Sequence, residues 1–268
     1  MAPYPNVENK YADPVSLYTP ADFLGWAQRA GWDPGPLPIG VIFAFQPFIT
    51  TFLADHPERF SENFTLAPGN ARVFLTNDAA GLVAVSCLNA GATTLVSQVE
   101  NLLYLGDTRR FITIGTAGAL VPDVRIADTC VLTAAVRDDG ISQHYLPPAR
   151  YVEPAGSLTD DLRSALRERI EGVTDRSTWT ISTPYRCTAG EITEYVADGV
   201  TIVEEEAAAL FAVTQARGGE SAAAVVVSDV FRAGEFEVEW SDPVAPLLTV
   251  LEAAIVAIRA SGERSPTT

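Results

Sequence analysis

Unbroken apolar runs of strand length recur along this chain, and they restrict its fold more than any other feature. The first, Pro38-Ile-Gly-Val-Ile-Phe-Ala-Phe45, carries no polar side chain. Similar runs follow at 72–75, 81–88, 111–115, 129–136, 178–183, 200–204 and 222–228. A half-buried strand alternates apolar and polar residues, so runs without alternation indicate strands covered on both faces, as in parallel sheets. Helical patterns lie between several of them. Leu95, Val96, Val99, Leu102 and Leu103 form one apolar face that Gly106 ends. Leu158, Leu162, Leu166 and Ile170 form a second. Thr188-Ala-Gly-Glu191 is a capping-box pattern for a short helix that Gly199 closes, and 205–217 and 244–260 predict the last two helices. No internal repeat is visible, and the alternation predicts one α/β/α domain.

That domain is expected over 38–260. Residues 1–37 read as an N-terminal extension, rich in Pro, Tyr and Asp, with a helix starting at Thr19-Pro20 and a turn at Pro34-Gly35-Pro36. It could wrap its own domain or a neighbouring subunit. Residues 261–268 read as a disordered polar tail.

Charge and cysteine usage exclude several functions. With a formal net charge of -16 the chain is a poor partner for a nucleic-acid polymer, because phosphate backbones need clustered Lys and Arg. Cys87, Cys130 and Cys187 show no CxxC spacing and read as reduced thiols. No signal peptide or membrane-length apolar run is visible, so a cytoplasmic location and no membrane partner are expected. His56 reads as a solvated helix end. With only His56 and His144 and scattered cysteines, no metal site is expected. Nucleotide-grasping glycine motifs are absent as well, so no cofactor is expected.

The most unusual stretch is Thr201-Ile-Val-Glu-Glu-Glu-Ala-Ala-Ala-Leu210. Three adjacent carboxylates at the end of an apolar run repel one another and are costly to desolvate. Either they suit the dipole of a following helix, or they hold a ligand that offers hydroxyls, amides or positive charge. Glycine- and threonine-rich stretches at 89–94 and 114–118, and Val227-Ser-Asp-Val230, are expected as turns at strand ends, where open α/β sheets bind ligands.

Taken together, IGTAGAL at 114–120, VEEEAAAL at 203–210 and VVVSDV at 225–230 resemble the superfamily of purine nucleoside phosphorylases, uridine phosphorylases and nucleosidases. Residues 38–45, Ala90–Thr93 and the segment Arg137–Pro147 agree with it. The resemblance implies a three-layer α/β/α domain around a mixed, barrel-like sheet, acting on a small-molecule nucleoside. It also implies a homodimer, or a hexamer built from dimers, with neighbours completing each site. It assigns Glu206 to the ribose hydroxyls, with Glu204 and Glu205 on the sugar side. Asp229 matches the acid at the leaving base, so Glu206 and Asp229 are the expected catalytic pair. Tyr185, Arg186 and Gly118 join Asp229 around the base. Thr93, Thr113, Thr116 and His144 fall at the anion or water site.

The departures from the family bear on the acceptor. Family phosphorylases hold phosphate with arginines, one in the loop after the first strand and one two residues before the glycine turn. Here that loop reads Ala44-Phe45-Gln46-Pro47-Phe48-Ile49, and Thr113 occupies the second position. Threonine cannot replace a bidentate, charge-assisted guanidinium. Hydrolysis is therefore expected over phosphorolysis. The alternatives are a phosphorylase using phosphate as co-substrate at a relocated site, drawn from Arg72, Arg109, Arg110, Arg137 or Arg150 of the same or a neighbouring chain, and a non-catalytic nucleoside-binding protein. Glu205 stands where most members have methionine; it is expected to turn away or pair with an arginine, the other reading being an unusual sugar.

Overall fold

Gly40–Ala44 forms β1, buried at all five positions as the unbroken run requires. In the computed structural model, residues 9–13, 16–45, 47–63, 71–78, 81–232, 235–238 and 243–260 are described, Arg232 and 235–238 by backbone alone. Gln46 and the tail 261–268 lie outside the described residues. The further strands are β2 (Phe60–Asn63), β3 (Arg72–Thr76), β4 (Val83–Cys87), β5 (Arg110–Ala119), β6 (Thr129–Asp138), β7 (Tyr151–Val152), β8 (Thr174–Ile181), β9 (Ile202–Glu204), β10 (Glu220–Arg232) and β11 (Glu235–Val238). The helices are α1 (Pro20–Arg29), α2 (Pro47–Asp55), α3 (Ala92–Leu105), α4 (Leu158–Arg167), α5 (Ala189–Ala197), α6 (Ala207–Arg217) and α7 (Val244–Ala260).

β5 is the hinge of the topology. Its first half pairs in parallel with β1, which continues the sheet through β4, β3 and β2. Its second half pairs antiparallel with β9, while β10 runs parallel along its whole length. β10 then meets β6, β6 meets β8, and β8 meets β9, so β5, β10, β6, β8 and β9 close into a mixed five-stranded barrel. Helices cover both sides. Phe43, Phe111 and Ala117 pack with Leu95 and Val99 of α3 and Leu210 and Phe211 of α6. Ile42, Ile112 and Ile114 pack with Ile49 of α2, Leu162 of α4 and Leu251 of α7.

The local signals at helix ends act as read. Thr19 and Asp22 form a reciprocal capping box with Pro20 at the first helical position, and Thr188 and Glu191 do the same for α5. Gly106 closes α3 at φ 105°. His56 follows α2, half-buried, its Nδ1 2.7 Å from the Phe52 carbonyl.

Two stretches expected as turns lie inside strands. Ile114–Gly118 belongs to β5, and 227–230 belongs to β10. Glycine is a turn signal in a sequence, but in a barrel wall it also admits close packing. A Cβ on Gly118 would meet the Phe231 ring at 2.5 Å, and one on Gly115 would touch Phe45. Residues 47–49, read from the sequence as part of the loop after the first strand, open α2.

Candidate active site

The end of β9, the start of α6, the turn before α3 and the facing stretches of β5 and β10 converge on one place. Glu204 ends β9 and is 7% exposed. Its Oε2 accepts the backbone N–H groups of Glu206 and Ala207, both at 2.7 Å. Its Oε1 accepts the Thr180 hydroxyl at 2.5 Å and lies 3.4 Å from that of Thr178. Burial raises the proton affinity of Glu204 and these four donors oppose it.

Glu206 stands at the N-cap of α6, 8% exposed. Its Oε1 accepts the N–H of Gly91 at 2.7 Å, tying the start of α6 to the turn before α3. Burial first and the Glu204 charge second push its pKa up to about 8. Glu205 is half-buried, and burial raises its pKa as well. No arginine pairs with it among the described residues.

On the barrel wall, the register of β10 against β5 slips between Val227 and Asp229, which sets Asp229 opposite Gly118. The slip is a bulge, a device that re-aims a side chain. Val203 of β9 flanks Gly118 on the other side. The missing Cβ of Gly118 leaves room for the Asp229 carboxylate, whose Oδ2 would be 3.1 Å from it, and for the Phe231 ring. Asp229 Oδ1 accepts the hydroxyl of buried Ser228. Burial raises the proton affinity of Asp229, and the Ser228 bond partly offsets it.

The remaining expected residues divide. Thr116 and Gly118 share one face of β5 by strand alternation. Thr113, 5% exposed, is on the other face with Phe111 and Ala117, beneath α3 and α6. The strand therefore does not bring Thr113 and Thr116 to one pocket wall. Thr93 is exposed in the first turn of α3, two residues beyond Gly91. Tyr185 and Arg186 lie in a short 3-10 turn, both exposed, Tyr185 completely. Arg186 lines a shallow hollow with Asp138, Thr188 and Glu191, not the carboxylate site. His144 lines a cavity of about 770 Å³ between the N-terminal segment and α3, with Lys10, Tyr11 and Arg217. Burial, then the Lys10 charge, lowers its pKa. Glu206 and Asp229 are not among the residues lining that cavity.

The arginines considered for a relocated anion site are all engaged. Arg72 pairs with Glu62, and Arg150 with Glu194 and Asp198. Arg109 and Arg110 donate to the carbonyls of Gly218 and Ile258. Arg137, buried, donates to Ser142 and to the carbonyls of Leu146 and Pro147.

The sequence pattern that describes the phosphorylase superfamily matches residues 38–255. The chain belongs to the phosphorylase superfamily. Within it, the uridine phosphorylase of Haemophilus influenzae is 40% identical over 65 residues, which are 24% of this chain and 25% of that protein. The chain thus matches about a quarter of the length of such curated relatives. The fold is shared with the purine nucleoside phosphorylase of Toxoplasma gondii in complex with immucillin-H, at a TM-score of 0.72 and 19% identity over 85% of this chain and 94% of that one. It is shared equally with the uridine phosphorylase of Vibrio fischeri, at 0.69 and 19% over 87% and 95%.

Ser228, Phe231, Thr178, Thr180 and the N–H of Gly91 are the participants that sequence reading missed. Superfamily membership gives no signal for the two threonines, since a threonine in a buried strand is ordinary until its partner across the sheet is known. No three His, Cys, Asp or Glu side chains among the described residues are grouped to hold a metal, and no described helix is long and apolar enough to cross a membrane.

Proposed function

We propose that this phosphorylase-superfamily member cleaves the N-glycosidic bond of a nucleoside, and that water is the acceptor its own residues favour. The observation that carries the bond-cleavage reading is that a buried Glu206 and a half-buried Asp229, on segments that flank the same end of β5, have different surroundings. Glu206 sits among carboxylates, while Asp229 sits beside a glycine and an aromatic ring. Breaking the bond builds positive charge on the sugar and negative charge on the base. Glu206, once ionised above its raised pKa, stabilises the first by accepting sugar hydroxyls, and a protonated Asp229 donating to the base relieves the second. The bonding pair leaves with the base, Asp229 supplies a proton to it, and water adds OH to the anomeric carbon. The proton that water releases returns to Asp229.

Water is favoured because the five arginines weighed as replacements for the family clamp are bound elsewhere in the chain. Phosphate is the second reading, since the relatives compared above are phosphorylases by name. A homodimer, or a hexamer of dimers, would bring a second chain to the site and could supply a cation. Incubation of the protein with a panel of purine and pyrimidine nucleosides, with and without phosphate, tests both. Free base without phosphate is the expected result. Strict dependence on phosphate would assign phosphorolysis, and binding without turnover would leave a nucleoside-binding protein.

A further inference from the structure

Glu204 and Glu206 are both buried, yet they are bonded very differently. Glu204 takes three short bonds and a weak fourth contact from within the chain, so its acceptor capacity is directed mainly at the scaffold. Its Oε2 grips the N–H groups of Glu206 and Ala207, which fixes the backbone from which the Glu206 side chain springs.

Thr180 fixes Glu204 in turn. Parallel register places Thr180 beside Glu204 on adjacent strands, and Thr180 is fully buried. Its hydroxyl accepts the N–H of Ala208 at 3.0 Å and donates to Glu204 at 2.5 Å. One oxygen thereby joins the first turn of α6 to the carboxylate that holds Glu206. Thr178 is the weaker support, because its single proton is divided between Glu204 and the Ile202 carbonyl, each at 3.4 Å.

We propose that Thr180 is a positioning residue of this site, holding Glu206 in its working orientation through Glu204 and the first turn of α6. This rests on Glu206 being the acceptor of sugar hydroxyls proposed above. The hydroxyl of Thr180, more than its bulk, is the active part, since only the hydroxyl can donate to Glu204 while accepting from Ala208.

The test compares wild type, Thr180→Val, Thr180→Ser, Glu204→Gln and Glu206→Gln. Nucleoside binding by calorimetry, kcat and KM across pH, and thermal unfolding are measured for each. Thr180→Val keeps the shape and is expected to lower kcat/KM roughly 10- to 100-fold, the effect of one or two lost bonds to a charged group. The acid limb of its pH profile should move to lower pH, because a Glu204 short of one donor holds less negative charge beside Glu206. Thr180→Ser should return both readouts to near wild type. If Glu206→Gln abolishes turnover while Thr180→Val keeps the wild-type kcat/KM and pH limb, the brace is overturned and the role of Glu206 stands. Failure of Thr180→Ser to rescue overturns it too. If Glu206→Gln itself keeps full binding and turnover, or if wild type neither binds nor cleaves any nucleoside, the underlying reading fails and the brace with it. Should Thr180→Val not fold, Glu204→Gln decides, and a folded Glu204→Gln with full kcat/KM overturns the proposal.

Discussion

Glu206 accepts the backbone N–H of Gly91 at 2.7 Å across 115 positions of sequence. The bond joins the start of α6 to the turn that opens α3. Gly91 takes φ 104°, a conformation that favours glycine, so the N–H is aimed by a residue suited to that turn. One oxygen of Glu206 is thus committed to the scaffold, and the carboxylate is held between α6 and the turn before α3.

Glu206→Gln should keep this bond, because the amide oxygen can still accept from Gly91. It should lose the charge-assisted bond to a sugar hydroxyl, about 1.5–3 kcal/mol, or roughly 10- to 150-fold in kcat/KM. Steady-state kinetics beside a thermal melt check it. Wild-type kinetics in the folded variant would remove Glu206 from the site.

The burial of Glu206 also makes folding stability depend on pH. Its pKa rises from 4.5 in the unfolded chain to about 8 in the folded one. Below about 4.5 both states hold the proton, and above about 8 neither does. In between only the folded state holds it, so this group's contribution to stability falls as pH climbs through that window. Each tenfold difference in proton affinity is worth about 1.4 kcal/mol. Urea midpoints at either edge of the window should therefore fall more for wild type than for Glu206→Gln, and parallel slopes would contradict the assignment.

Glu205 adds to the same field, its charge being one of the causes that raise Glu206. Glu205→Gln should move the acid limb of kcat/KM to lower pH without abolishing turnover. A limb that stays in place would mean that Glu205 and Glu206 do not sense each other in the working enzyme.

Much of this architecture was legible in the sequence because burial on both faces leaves a direct mark. The run at 40–44 is buried throughout, and β6, β8 and β10 follow from runs of the same kind. Thr19, Thr188 and Gly106 marked helix ends through chemistry local to the backbone. The barrel-like sheet was implied by the family resemblance and not by local patterns, since a strand pairing such as Gly118 with Val203 spans distant segments and depends on register. The site was legible in part. Adjacent carboxylates stand out in any sequence, but the division of labour between Glu204 and Glu206 depends on which lone pairs the fold already fills. Tyr185 is the opposite case, because a polar segment gives no sign of whether its aromatic ring will be covered, and within one chain it is exposed.

Gly118→Ala probes the meeting of β5 and β10. The added Cβ would lie 2.5 Å from the Phe231 ring and 3.1 Å from Asp229 Oδ2, so both side chains must move. Overpacking of this kind costs about 1–3 kcal/mol. The variant should melt earlier and lose activity beyond what its folded fraction explains. Unchanged kinetics would show that the ring and carboxylate can shift without consequence.

Asp229→Asn tests whether the residue acts as an acid or only shapes the pocket. Burial raises the proton affinity of Asp229, which favours the protonated form that a donor needs. Asparagine keeps the size and can still accept the Ser228 hydroxyl, but it has no acidic proton to give. A purine leaving group needs that proton as its ring nitrogen gains negative charge. A nitrophenyl riboside does not, because the nitrophenolate is stable as an anion. The variant should therefore slow purine nucleosides by roughly 100-fold or more, the usual scale of general acid catalysis, and slow the nitrophenyl riboside far less. The ratio of the two losses carries the answer, since a distorted pocket lowers both together. Equal losses would make Asp229 a residue that orients the base, with the proton coming from solvent.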